Sequence, residues 1–199
     1  MGIQKFPTDA DFCLEKIKAF GLIDLIKPPT KSDSSSLGLG DDERVAKRSD
    51  LIAVTGEIGS ASYNLNNKNS SEVSALHTPE SQLTISQEIR KFAHVCIDIT
   101  NGLITDLEHM CLQSKLAAKI SFEQIPVNPQ VKGSTPDWSK YVLSGGNDCQ
   151  LYFTFAPENL DKLPNNCTVI GQMGCGTDVK VYVNNQELKL GHKGFIHFS

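Results

Sequence analysis

Leu143-Ser144-Gly145-Gly146-Asn147-Asp148-Cys149-Gln150-Leu151-Tyr152-Phe153-Thr154-Phe155 runs from a two-glycine turn with polar side chains straight into an apolar strand. Glycine at 145 and 146 permits positive φ and lets another group approach the backbone closely, while Asn147 and Asp148 can hold the turn or face a bound group. A turn of this composition at the mouth of a buried strand is a ligand-facing position, and the chain is read outward from it.

Upstream, Leu51–Thr55 reads as a short strand entering a Gly56/Gly59 turn, and the Asn- and Ser-rich stretch 63–74 reads as loop. Ile85, Ile89 and Phe92 share one face of a helix expected over 84–93, and 95–99 follows as a buried strand. Gly102 opens a second helix in which Leu103, Leu107, Met110 and Cys111 pack inward, leaving Thr105, Asp106 and His109 to face elsewhere. Further strands are expected at 117–121, 151–155, 168–173 and 179–183, the last placing Val179, Val181 and Val183 on one face. Asn184-Asn185 predicts a hairpin turn into a strand over 187–190. Strands and helices mixed in this way predict an α+β layer, a mixed β-sheet with helices on one face.

The packed domain is expected over residues 43–199. Ahead of it, residues 1–42 hold one amphipathic helix (9–27, interrupted by Gly21 and Pro28) and a Pro/Ser/Gly-rich linker. The formal net charge of −4 and the lack of a dense Lys/Arg run exclude a nucleic-acid footprint. No apolar stretch is long enough for a membrane span and Asp9 and Asp11 interrupt any signal peptide, so a cytoplasmic protein is expected. Six cysteines without CxxC or finger spacing read as reduced thiols.

Four stretches, in order, resemble the bacterial thiamine-monophosphate kinase family. Leu143–Leu151 is similar to that family's Leu-Ser-Gly-Gly-Glu-Asp-Tyr-Glu-Leu run, departing at Asn147, Cys149 and Gln150. Ile97-Asp98-Ile99-Thr100-Asn101-Gly102-Leu103, followed by Thr105-Asp106-Leu107 and His109, resembles its Ile-Asp-Val-Ser-Asp-Gly-Leu run, with Asn101 in place of an aspartate. Asp50-Leu51-Ile52 and Val54-Thr55-Gly56-Glu57-Ile58-Gly59-Ser60 look like its Gly-Asp-x-Ile-x-Val-Thr-Gly-x-x-Gly run. Gly194-Phe195-Ile196-His197-Phe198 is similar to its terminal Gly-Trp/Tyr-Asp-His-Phe.

The resemblance implies the PurM-like C-terminal domain, from the aminoimidazole-ribonucleotide-synthetase superfamily, with most of the family's N-terminal domain missing. It also implies ATP and Mg²⁺ as cofactors and transfer of phosphate from ATP to thiamine monophosphate, giving thiamine diphosphate. Phosphoryl transfer asks the protein chiefly to position phosphates and hold the cations that neutralise them. On the matching positions, Asp98, Thr100 and Asn101 would be catalytic; Leu37-Gly38-Leu39-Gly40-Asp41-Asp42 resembles the family's N-terminal Gly-x-Gly-Asp-Asp magnesium motif, so Asp98, Thr100, Asp41 and Asp42 would hold the metal. Gly145, Gly146, Asn147, Asp148 and Phe195 would contact the thiamine phosphate, and Gly56, Gly59 and Ser60 the nucleotide.

Each of these residues also has a plain structural reading. Asp98 can simply end a strand, Asp148 can be a turn residue, Phe195 can be a core anchor, Gly56 and Gly59 can be ordinary turn glycines, and Asp41/Asp42 can close a linker. The departures share a direction: Asn101, Asn147, Gln150 and Ile196 each remove a charge, which weakens a hard-cation site. The expectation is therefore a kinase-like protein that binds thiamine mono- or diphosphate at most weakly, with little or no transfer. Whether it is an enzyme stays open. The alternative is a non-catalytic interaction or regulatory module, a pseudoenzyme keeping only the fold. An uncovered sheet face predicts a homodimer or a complementing partner chain.

Overall fold

The computed structural model describes residues 45–66 and 82–188. The expected N-terminal helix and linker, Asp41 and Asp42, and the 194–198 run with Phe195 lie outside them. Within the described residues seven strands form one sheet in the order β2-β4-β1-β5-β3-β6-β7. These are β1 (Leu51–Thr55), β2 (Ala93–Asp98), β3 (Ala117–Ser121), β4 (Leu151–Phe155), β5 (Cys167–Gly174), β6 (Val179–Val183) and β7 (Gln186–Leu188). Neighbours run antiparallel except β3 and β6, which are parallel, so the sheet is mixed as expected.

β1 is buried along its whole length because it pairs on both sides, with β4 and with β5. Its pleat divides the core. Ile52 and Val54, with Tyr152 of β4 and Ile120 of β3, join a cluster that takes in Leu103, Leu107 and Met110 of α3 (Leu103–Ser114) and Tyr141 to Leu143 of α4 (Ser139–Leu143). Alternate residues point to the other face, where Phe92 stacks edge-on against Phe153 and Phe155 at centroid separations of 6.2 and 5.5 Å. Fully burying side chains of this size contributes on the order of 2–3 kcal/mol each, before the cost of ordering the chain.

The Asn184-Asn185 turn forms as expected, with both residues at positive φ (48° and 63°) and Val183 paired to Gln186 across it. That geometry is what a two-residue hairpin demands, and Asn tolerates it better than most side chains. The helix expected at 84–93 is shorter, α2 (Leu83–Ile89), because the chain straightens into β2 at Ala93.

Two helices contradict the sequence reading. Part of the 63–74 stretch assigned to loop lies in α1 (Ser60–Asn66), and α4 had no periodic signal strong enough to mark it. Both are short, and their support comes from residues distant in sequence. Tyr63 of α1 stacks edge-on against Tyr141 of α4 at 5.6 Å. Among the described residues no helix is long and apolar enough to cross a membrane.

Candidate active site

The site is built from three turns at one end of the sheet. The first leaves β2 after Asp98, where Ile99 is fully buried and its N–H donates to the Gln150 carbonyl at 2.8 Å. Gly102, at φ +105°, then starts α3, whose first turn carries Asp106. The sequence reading left Asp106 to face away from the core. Instead it is only 4% exposed, and its carboxylate reaches back over the turn. Oδ2 accepts the backbone N–H groups of Thr100 (2.9 Å) and Asn101 (3.0 Å), and Oδ1 accepts the Asn101 side-chain Nδ2–H at 2.9 Å. Three donors on one buried carboxylate offset its desolvation, which is why a charge can sit where a 3.6-residue period places an apolar residue.

The second turn follows α4. A Cβ on Gly145 would lie 2.1 Å from the Tyr141 carbonyl oxygen and 2.5 Å from Ser62 Cβ, and one on Gly146 would lie 2.2 Å from the Thr100 carbonyl oxygen. Neither space can hold a methyl group. The Asn147 N–H donates to the same Thr100 oxygen at 3.1 Å, so the two turns touch backbone to backbone. Asn147 and Cys149 both adopt positive φ, 65° and 54°, which turns the Asp148 side chain toward the third turn.

There the Asp148 carboxylate accepts the N–H groups of Gly59 (2.9 Å) and Ala61 (3.2 Å) at the start of α1. Burial pushes its carboxyl up to about 6 while those two N–H groups pull it down. The Gly56/Gly59/Ser60 turn, expected to offer its amides to phosphate, thus has those of Gly59 and Ala61 already engaged by a carboxylate of the chain itself. Gly56, at φ +52°, lies beneath the Gln150 side chain, whose Oε1 accepts the Thr55 hydroxyl at 2.7 Å; the Thr55 oxygen in turn accepts the Leu151 N–H at 2.9 Å.

The structure therefore brings together Thr100, Asn101, Gly145, Gly146, Asn147 and Asp148 and ties Gly59 to them, while Asp98 is exposed at the end of the edge strand β2. Asp41, Asp42 and Phe195 lie outside the described residues. Asp106 and Gln150 are the structural members of the site that pattern reasoning missed. Asp106 could have been suspected from its place in the matched run, but Gln150 carried no signal, since its partner Thr55 is 95 positions away. His109 is exposed on α3, with no hydrogen-bond partner among the described residues.

A magnesium ion needs anionic oxygens with free lone pairs. Here the Asn101 amide presents hydrogens toward Asp106, the Asp106 oxygens are taken by N–H donors, and the Thr100 hydroxyl lies 3.3 Å from Asn101 Nδ2. Only Asp98 is left as a carboxylate in the turn, and among the described residues no group of three His, Cys, Asp or Glu side chains is placed to hold a metal. The turn as built does not fit a divalent cation.

No family model matches the chain. Among curated proteins it is 33% identical over 109 residues to the thiamine-monophosphate kinase of Haemophilus influenzae, covering 49% of this chain and 33% of that one. With the thiamine-monophosphate kinase of Buchnera aphidicola (subspecies Acyrthosiphon pisum) it shares 28% identity over 171 residues, 75% of this chain and 53% of that one. A solved structure described as AaThiL complexed with AMPPCP and TMP superposes with a TM-score of 0.63 at 27% identity, over 78% of this chain and 53% of that one. The Escherichia coli hydrogenase maturation protein HypE shares the fold alone, with a TM-score of 0.59 at 16% identity over 74% and 51%. The chain spans about half the length of the curated relatives it matches. It is a homologue of the thiamine-monophosphate kinases, built on the PurM-like fold that they share with HypE.

Proposed function

We propose that this chain binds thiamine monophosphate or diphosphate where the turn after β2 meets the turn after α4 and, alone, transfers phosphate from ATP weakly or not at all. The observation that carries this reading is the contact of Gly146 and Asn147 with the Thr100 carbonyl, which keeps the two matched turns side by side in a homologue of thiamine-monophosphate kinases. The relative solved with AMPPCP and TMP supports a phosphate-ester ligand for a site of this ancestry.

Weak transfer follows from the cations. Catalysis of this reaction is almost wholly electrostatic, and a turn whose carboxylate is consumed by internal donors gives little hold on magnesium. A second copy or a partner chain would have to supply the remaining ligands.

Titration calorimetry with thiamine monophosphate, with and without magnesium and an ATP analogue, tests the reading beside an ADP-release assay. Saturable heat without appreciable turnover is expected. No heat at millimolar ligand would overturn the binding, and turnover at ordinary kinase rates from the pure chain would overturn the claim of weak transfer.

A further inference from the structure

We propose that Asn101 is a positioning residue whose amide closes the 98–106 turn in place of a divalent cation, so that the turn is metal-independent. A buried carboxylate must be compensated, by a cation or by donors. Asp106 is compensated entirely by donors from its own turn: two backbone N–H groups converge on Oδ2, and the oxygen they leave, Oδ1, is taken by Asn101 Nδ2 at 2.9 Å. The backbone carbonyl of the same residue accepts the hydroxyl of the fully buried Tyr152, which holds Asp106 against the sheet.

The amide's position is what matters. With its NH₂ group against the carboxylate, Asn101 both neutralises Asp106 by hydrogen bonding and blocks the approach of a cation to Oδ1. An aspartate of the same shape would set two carboxylates about 3 Å apart, an arrangement that requires a proton or a cation between them. One amide nitrogen thus decides whether this turn is held by a hydrogen bond or by a metal ion. The inference is independent of thiamine phosphate binding, and its tests use neither thiamine phosphate nor nucleotide.

Thermal unfolding of the full chain in EDTA and in millimolar MgCl₂ tests it, with Asn101→Asp and Asn101→Ala alongside. The wild-type Tm is expected to agree in the two buffers to within about 1 °C, because a ligand stabilises only what binds it. In EDTA, N101D is expected to melt at least about 5 °C below wild type, since it exchanges a half-buried charge-assisted hydrogen bond for like-charge repulsion. Magnesium or manganese should restore at least half of that loss, and N101A, which can neither donate nor bind a cation, should lose stability without recovery.

A saturable rise of the wild-type Tm with magnesium that disappears in N101A would overturn the proposal. So would an N101D protein that melts with wild type in EDTA, or one that magnesium does not restore. If the variants do not fold, the wild-type chain still decides. The Asn101 side-chain amide resonances should stay sharp as Mn²⁺ is added, and their selective broadening would place a cation where the amide is assigned.

Discussion

Replacing Gly146 with alanine should uncouple the two turns. The new Cβ would stand 2.2 Å from the Thr100 carbonyl oxygen, against the roughly 3.3 Å at which a carbon and a carbonyl oxygen come to rest. The turns must therefore part by about 1 Å, and the contact is backbone on backbone, so no flexible side chain can swing away to absorb it. The same shift stretches the Asn147 N–H to Thr100 oxygen hydrogen bond from 3.1 Å beyond useful range. Overpacking and the lost hydrogen bond together cost about 2–4 kcal/mol, or a fall in Tm of about 5–15 °C for a domain of this size. Urea unfolding followed by far-ultraviolet circular dichroism measures this, with fluorescence of Trp138, which packs on Phe122 at 5.4 Å, as a second probe. Gly174→Ala is the control, because nothing lies within 4 Å of its Cβ position, and it should stay within about 0.5 kcal/mol of wild type. A G146A protein with the wild-type midpoint and slope would refute the close approach of the turns and the site built on it.

Three further outcomes are expected. The Asp148 carboxyl, ordinarily near 3.8 and raised by burial to about 6, binds its proton more tightly folded than unfolded, so its contribution is present below 3.8 and lost as pH rises through 6. Relative to Asp148→Asn, wild type should therefore gain about 2 kcal/mol as pH is lowered from 7 to about 4, and a pH-independent difference would show that this carboxyl is not perturbed. Tyr152→Phe removes the hydroxyl that donates to the Asp106 carbonyl and should cost about 1 kcal/mol in urea unfolding, whereas an unchanged midpoint would mean that α3 is held to the sheet by apolar contact alone. In timed alkylation of the native protein read by peptide mass, Cys149 and Cys175 should react first, while Cys111 and Cys167, buried and with thiols pushed up to about 11 and about 12, should wait for unfolding; early labelling of either buried thiol would contradict the packing around it.

Local chemistry by itself determined the strands and the tight turns. Leu51–Thr55, Ala117–Ser121 and Leu151–Phe155 form where apolar runs between turn residues place them, and Asn184-Asn185 makes the hairpin that its tolerance of positive φ allows. The order of the matched runs along the chain also carried the resemblance to the thiamine-monophosphate kinases. Tertiary structure decided the rest. The N-terminus of helix α1 donates the N–H groups of Gly59 and Ala61 to Asp148, 87 to 89 positions away. Asp106 stands three residues after Leu103 and four before Met110, on the buried side of α3, and its charge argues for the surface until the turn before it folds back and presents three N–H donors, which offset its desolvation. Sequence shows which atoms can donate and accept; only the meeting of distant turns determines which of them are satisfied internally and which remain for a ligand.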